Sequence, residues 1–248
     1  IGKCDFVMAN PPFNVDKVDK KKEFVKNDPR LPFGLPKLDN ANYLWIQYFY
    51  SYLNKNGKAG FVMTSSATDA GKSEQIIRKK LIETDCIESI ISVGNNFFYT
   101  RGLPCHLWFF NKNKKKKNSI LMIDARNTFR KVNNRINDFS EEQLYGLTTL
   151  IKSFRDEKVD FTKNDWLKKF FNKGKYEDVE GLCKIVTNEE LIKNDHSLTP
   201  GRYVGYKLIF EKNLDYKKEI LELNKKIEKL STESVELSKK LSKINFND

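Results

Sequence analysis

The stretch Phe6-Val7-Met8-Ala9-Asn10-Pro11-Pro12-Phe13 constrains this chain more than any other. Its apolar half reads as a buried strand. Two consecutive prolines cannot continue a strand, because each lacks a backbone N–H and holds φ at about −65°. The chain must therefore leave the sheet at Asn10. An amide, two rigid residues and an aromatic ring are left at the carboxyl end of a strand, where open α/β sheets bind ligands. The competing reading is a plain Pro-Pro turn with Phe13 in the core.

Apolar runs and helical periodicity alternate after this point. Strands are expected near residues 5–9, 59–64, 87–93, 104–111 and 119–124, and helices near 42–54 and 73–84. That alternation is α/β. Segments 140–156 and 162–173 read as helices that pack their Phe, Leu and Trp positions on the sheet edge. The tail differs. Ile220, Leu223, Ile227, Leu230, Ser234, Leu237, Leu241 and Ile244 recur at alternating spacings of three and four, the a/d seam of a coiled coil. Such a stripe calls for a cover: another protein's helices, a second copy in a homodimer, or the helix's own domain. The expected organisation is a globular unit over 1–206 and a helical assembly segment over 207–248.

With 248 residues and 39 % hydrophobic content, the chain can bury a sizeable core. Its net charge of +12 favours a polyanionic partner. Lys17, Lys20, Lys21, Lys22 and Arg30 follow the Pro-Pro turn and are candidate contacts to a nucleic-acid backbone. The run Lys112–Lys117 reads as a solvated loop. Four cysteines and two histidines show no metal-ligand spacing and no disulfide framework, so no metal is expected and a reducing cytoplasm fits. No apolar run approaches membrane-spanning length, and no signal peptide is visible, so no membrane partner is expected. Gly71-Lys72-Ser73 resembles the end of a phosphate-binding loop, but Ser66 stands where that pattern needs glycine. It reads as a helix start.

The four turn residues suit one kind of chemistry. An exocyclic amine on a nucleobase is a poor nucleophile, because its lone pair is delocalised into the ring. Two acceptors on its two N–H bonds draw the nitrogen toward tetrahedral geometry and free that pair. The Asn10 side-chain oxygen is one acceptor. The Pro11 carbonyl is the other, held because Pro12 restricts the residue before it. The site then works by positioning and electrostatics, and Phe13 offers a face on which a base swung out of a duplex stacks.

Cys4–Phe13 resembles the catalytic motif of DNA adenine-N6 methyltransferases, Asn/Asp-Pro-Pro-Tyr/Phe at the end of a sheet strand. Asp28-Pro29-Arg30, Phe33-Gly34-Leu35-Pro36 and Asn40-Ala41-Asn42-Tyr43-Leu44-Trp45 resemble, as a series, the modification (M) subunit of type I restriction–modification systems. That family usually carries Asp where this chain has Asn42. The similarity continues through 57–63, 71–81, 96–104, 119–126 and 199–204. Phe98 falls on the family's second aromatic beside the target base; it reads equally as a core Phe.

The resemblance implies a Rossmann-like S-adenosylmethionine-dependent methyltransferase fold, represented here by its C-terminal part, ending in a coiled-coil helix. It implies catalytic roles for Asn10, Pro11, Pro12 and Phe13, and base stacking by Phe13 and Phe98. It further implies DNA and a specificity subunit as partners, with a restriction subunit as another candidate, and docking through Ile220, Leu223, Ile227, Leu230, Leu237, Leu241 and Ile244. The glycines form no G-x-G-x-x-G set, so the cofactor loop is expected upstream of Ile1. This segment alone is expected to bind S-adenosylmethionine poorly and to be inactive by itself. A fused restriction–methyltransferase and a non-catalytic assembly module are the rival readings.

Overall fold

The computed structural model describes residues 1–16, 21–36, 40–98, 102–206 and 216–242. β1 (Cys4–Ala9) stops one residue before Asn10, where the prolines require it to stop. After the single turn α1 (Glu23–Lys26), α2 (Asn42–Tyr52) runs directly into β2 (Leu53–Thr64), which lies parallel to β1 with Val7 opposite Ala59. α3 (Lys72–Glu83) leads to β3 (Ile87–Val93), and β4 (Cys105–Asn111) inserts antiparallel between β2 and β3. β5 (Ser119–Ala125) is parallel to β3.

A two-stranded ribbon of β6 (Arg130–Lys131) and β7 (Asn137–Asp138) follows, then α4 (Glu141–Phe154) and α5 (Asp165–Phe170). β8 (Cys183–Thr187) pairs antiparallel with β5, and α6 (Asn188–Lys193) comes directly after it. The sheet order is β1-β2-β4-β3-β5-β8. Thus β1, β2, β3 and β5 share one direction, and their carboxyl ends share one rim.

Both faces of the central strands are covered, whereas Phe6 and Met8 leave one face of β1 exposed. Phe61, Met63, Ile90, Trp108 and Met122 pack with Tyr43 and Ile46 of α2 and Ile77 and Leu81 of α3. Ile91, Leu121 and Ile123 pack on the other face with Leu147 and Leu150 of α4 and Leu167 of α5. All seven residues of β3 are buried, as a strand enclosed on both faces demands. α4 and α5 therefore lie on the face of the central strands β3 and β5, not on the expected sheet edge.

The lysine run also departs from its reading as a solvated loop. Lys114 is 3 % exposed. Its ammonium donates to the carbonyls of Ile87 at 2.8 Å and Ser119 at 2.6 Å and pairs with Asp85 at 2.7 Å. Those carbonyls lie at the sheet's far end and need donors, which a buried ammonium supplies.

The chain divides into two compact units, Ile1–Lys207 and Leu208–Asp248. The second contains α7 (Tyr216–Leu241), a helix of 26 residues. Ile220, Leu223, Ile227, Leu230, Leu237 and Leu241 are each more than half exposed on it. Ile244 lies outside the described residues. Among the described residues no helix is long and apolar enough to cross a membrane, and no cluster of metal-ligating side chains occurs. The four cysteines are free thiols, three of them buried.

Candidate active site at the end of β1

Asn10, Pro11, Pro12 and Phe13 form one side of a cavity of about 700 Å³, with Asn14, Phe98 and Leu103 completing its lining. Pro11 is buried and Asn10 exposed, so the turn is rooted while its amide faces the opening. Among the described residues no hydrogen bond engages the Asn10 carboxamide or the Pro11 carbonyl. Two acceptors thus stand uncommitted at the mouth of an aromatic-walled space.

The structure brings Phe98 against Phe13. Their ring centroids are 6.1 Å apart and their planes meet at 79°, an edge-to-face pair. Phe98 reaches this position on the turn between β3 and β4. Gly94 starts that turn, where a Cβ would lie 2.6 Å from the Arg126 carbonyl oxygen. The left-handed Asn96, at φ 67°, bends it. Asn137 of β7 then holds it, donating its backbone N–H to the Asn96 carbonyl at 2.8 Å and its amide to the Asn95 carbonyl at 3.0 Å. Phe97 meanwhile packs on Phe139, with centroids 4.6 Å apart. Asn14, Leu103 and this ribbon support were missed at the sequence level; the Asn-rich stretch 133–137 is the only local hint of a turn there.

The basic candidates divide. Lys21 and Lys22 are exposed in the loop after the turn, Lys22 with its ammonium 5.9 Å from the Phe24 ring. Lys17 and Lys20 lie outside the described residues. Arg30 is drawn inward instead. Its guanidinium grips the Asp28 carboxylate through Nε at 2.9 Å and Nη2 at 2.7 Å, donates through Nη1 to the Tyr52 hydroxyl at 2.9 Å, and lies over the Tyr48 ring. The hydrogen bonds from Arg30 hold the Asp28 carboxyl down at about 2. Arg30 is in this structure an anchor for the loop, because a carboxylate and a phenol already occupy its donors.

Asp69, just ahead of the Gly71-Lys72-Ser73 helix start, pairs with Arg202 at 2.6 Å. Thr68 hydrogen-bonds Thr199 at 2.9 Å. The segment 199–204 is thereby tied to the end of β2.

A family model described as N-6 DNA Methylase matches residues 1–212. The type I restriction enzyme MjaIX methylase subunit of Methanocaldococcus jannaschii is 35 % identical over 97 % of this chain and 41 % of its own length. The type I restriction enzyme HindI methylase subunit of Haemophilus influenzae is 34 % identical over 82 % of this chain and 42 % of its own length. The chain therefore spans about two-fifths of these relatives. In fold it is similar to the crystal structure of a type I restriction–modification methyltransferase subunit from Streptococcus thermophilus. The TM-score is 0.68 at 24 % identity, covering 83 % of this chain and 39 % of that one. With the motif at a strand end, the aromatic pair opposite it and these matches, the chain belongs to the N-6 DNA methylase family.

Proposed function

We propose that this chain is the base-gripping part of a type I restriction–modification M subunit that methylates the N6 amine of adenine in DNA. The observation that carries the reading is the pair of uncommitted acceptors, Asn10 Oδ1 and Pro11 O, beside Phe13 and Phe98. When bound, S-adenosylmethionine supplies a methyl group on an electrophilic sulfonium. The chain's own residues prepare the acceptor. Asn10 and Pro11 take the two N–H bonds of the amine, Pro12 fixes the turn, and Phe13 offers a ring face to the base with Phe98 set at 79° beside it. So held, the amine nitrogen would present its lone pair to that methyl group and give up its surplus proton to solvent.

The cofactor itself needs more than the described residues supply. Among the described residues β1 pairs with a strand on one side only, and Phe6 and Met8 on it are 78 % and 94 % exposed. We place the cofactor-holding strands of a longer protein along this open edge, in keeping with the two-fifths coverage of the relatives. Lys17, Lys20, Lys21 and Lys22 are proposed contacts to the DNA backbone. The exposed stripe of α7 is proposed to dock on a specificity subunit, with a restriction subunit joining the same assembly in a reducing cytoplasm.

The test is methyl transfer to adenine by the full-length protein assembled with its specificity subunit. Asn10→Ala is expected to lower kcat at least about 100-fold. Wild-type methylation by that variant would overturn the catalytic assignment.

A further inference from the structure

We infer that Asn42 is a positioning residue that sets the backbone of the catalytic turn, and that it acts by hydrogen bonding and not by charge. The inference rests on the methylation reading above. Asn42 opens α2 and is 3 % exposed. Its Nδ2 donates to Asn14 Oδ1 at 2.8 Å, and its Oδ1 accepts the Asn14 backbone N–H at 3.0 Å. Alongside, the Ala41 N–H donates to the Val15 carbonyl at 3.0 Å. Three bonds thus stitch residues 14–15 to the start of a helix.

Asn14 sits at φ 51°, in the left-handed region that L-residues avoid without local support. That conformation reverses the chain directly after Phe13, and Asn14 lines the same cavity as Asn10. The helix doing the holding is itself fixed. The fully buried Tyr43 donates its hydroxyl to the Ala67 carbonyl at 2.6 Å and accepts from Arg78 at 3.3 Å. Gln47 donates to the Gly34 carbonyl at 2.9 Å. Asn42 does not line the cavity; it passes the rigidity of the core to a turn that does.

The chemistry of the pair also says what position 42 tolerates. It must accept a backbone N–H and meet the Asn14 amide. An aspartate does both once the Asn14 amide turns over, because each carboxylate oxygen then accepts one N–H. A leucine of similar size does neither. The Asn42 of this chain, where the similar family usually has Asp, then costs nothing.

The experiment compares N42L, N42D and N14G with N10A in the full-length protein assembled with its specificity subunit. N42L is expected to lower kcat for adenine methylation about 10- to 100-fold, with KM for S-adenosylmethionine and assembly unchanged. N42D is expected to keep kcat. N14G keeps the left-handed backbone accessible but removes the amide. It should lower kcat less than N42L does, because the Asn14 N–H still donates to Asn42 Oδ1. The double variant should lose no more than N42L alone, since N42L already removes both side-chain bonds. Full activity in N42L, equal losses in N42D and N42L, or losses that multiply in the double variant would each overturn the proposal. Should N42L fail to fold, the smaller N42A decides, since it also removes both side-chain bonds to Asn14: unchanged kcat in N42A overturns the clamp. A dead N10A beside a normal N42L removes only the clamp, whereas a fully active N10A removes the methylation reading and the clamp with it.

Discussion

Within the sheet, His106 is 4 % exposed and its Nδ1 finds no hydrogen-bond partner. Burial pushes its pKa down to about 4, with Asp124 pulling the other way and Arg126 adding to the depression. The unfolded chain takes up this proton near pH 6.5, and the folded chain resists it. The associated stability is therefore fully present above pH 6.5 and is lost as pH falls from there through about 4. The size of the effect is up to about 3 kcal/mol. His106→Phe should flatten the stability curve in that window, read by urea unfolding at a series of pH values; an unchanged slope would contradict the assignment. Asp28 acts lower. Its share is present above the ordinary carboxylate value and is lost as pH falls toward 2. The two residues are separable by where the loss begins.

Among the elements, α4 meets α5 at a glycine. A Cβ on Gly146 would fall on the Trp166 ring, so the two helices approach as closely as they do because position 146 has no side chain. Gly146→Ala should destabilise the domain by a net of about 1–2 kcal/mol, the overpacking cost exceeding the gain in helix propensity. A higher urea midpoint would refute this.

Neither partner announces the contact in sequence, and the same limit governs what else could be read. β3, β4 and β5 were legible because strands buried on both faces give unbroken apolar runs. β1 has such a run too, but Phe6 and Met8 on it are exposed, contrary to its reading as a buried strand. The first half of β2, Leu53–Lys58, was not, since its polar residues become strand only through the ladder with β1. The short edge strand β8 was missed as well. Its own end carries a readable signal: Thr187 and Glu190 form a capping box that starts α6. The motif Asn10–Phe13 was legible because prolines act locally. Its clamp at Asn42 was not, because that bond spans 28 residues. The position of Phe98 depended equally on Asn137, a residue from a later ribbon.

On the scale of the molecule, the two units make different demands. Replacing Leu223 and Leu230 with Asp places charge on the exposed stripe of α7, at two residues that belong to no buried core. The pair should abolish co-purification with the specificity subunit while leaving the melting temperature of this chain unchanged; retained assembly would rule out the stripe as the docking face. The open edge of β1 carries the complementary expectation. Calorimetric titration of this chain alone with S-adenosylmethionine should show no micromolar binding, and a micromolar Kd would place the cofactor site within the described residues.

The antiparallel β4 has a consequence at this same scale. By entering the sheet from the rim where β1, β2 and β3 end, it keeps residues 94–98, which follow β3, on the rim beside the Pro-Pro turn. The cavity is therefore a vise with two independently mounted jaws. One jaw carries the Asn10 amide and is tied to α2 through Asn14 and Asn42. The other carries Phe98 and hangs from a hairpin. Residues inserted into or removed from that hairpin would change how wide the cavity opens while Asn10 and Pro11 stay where they are, so the width of the cavity and its polar groups can vary separately in such a fold.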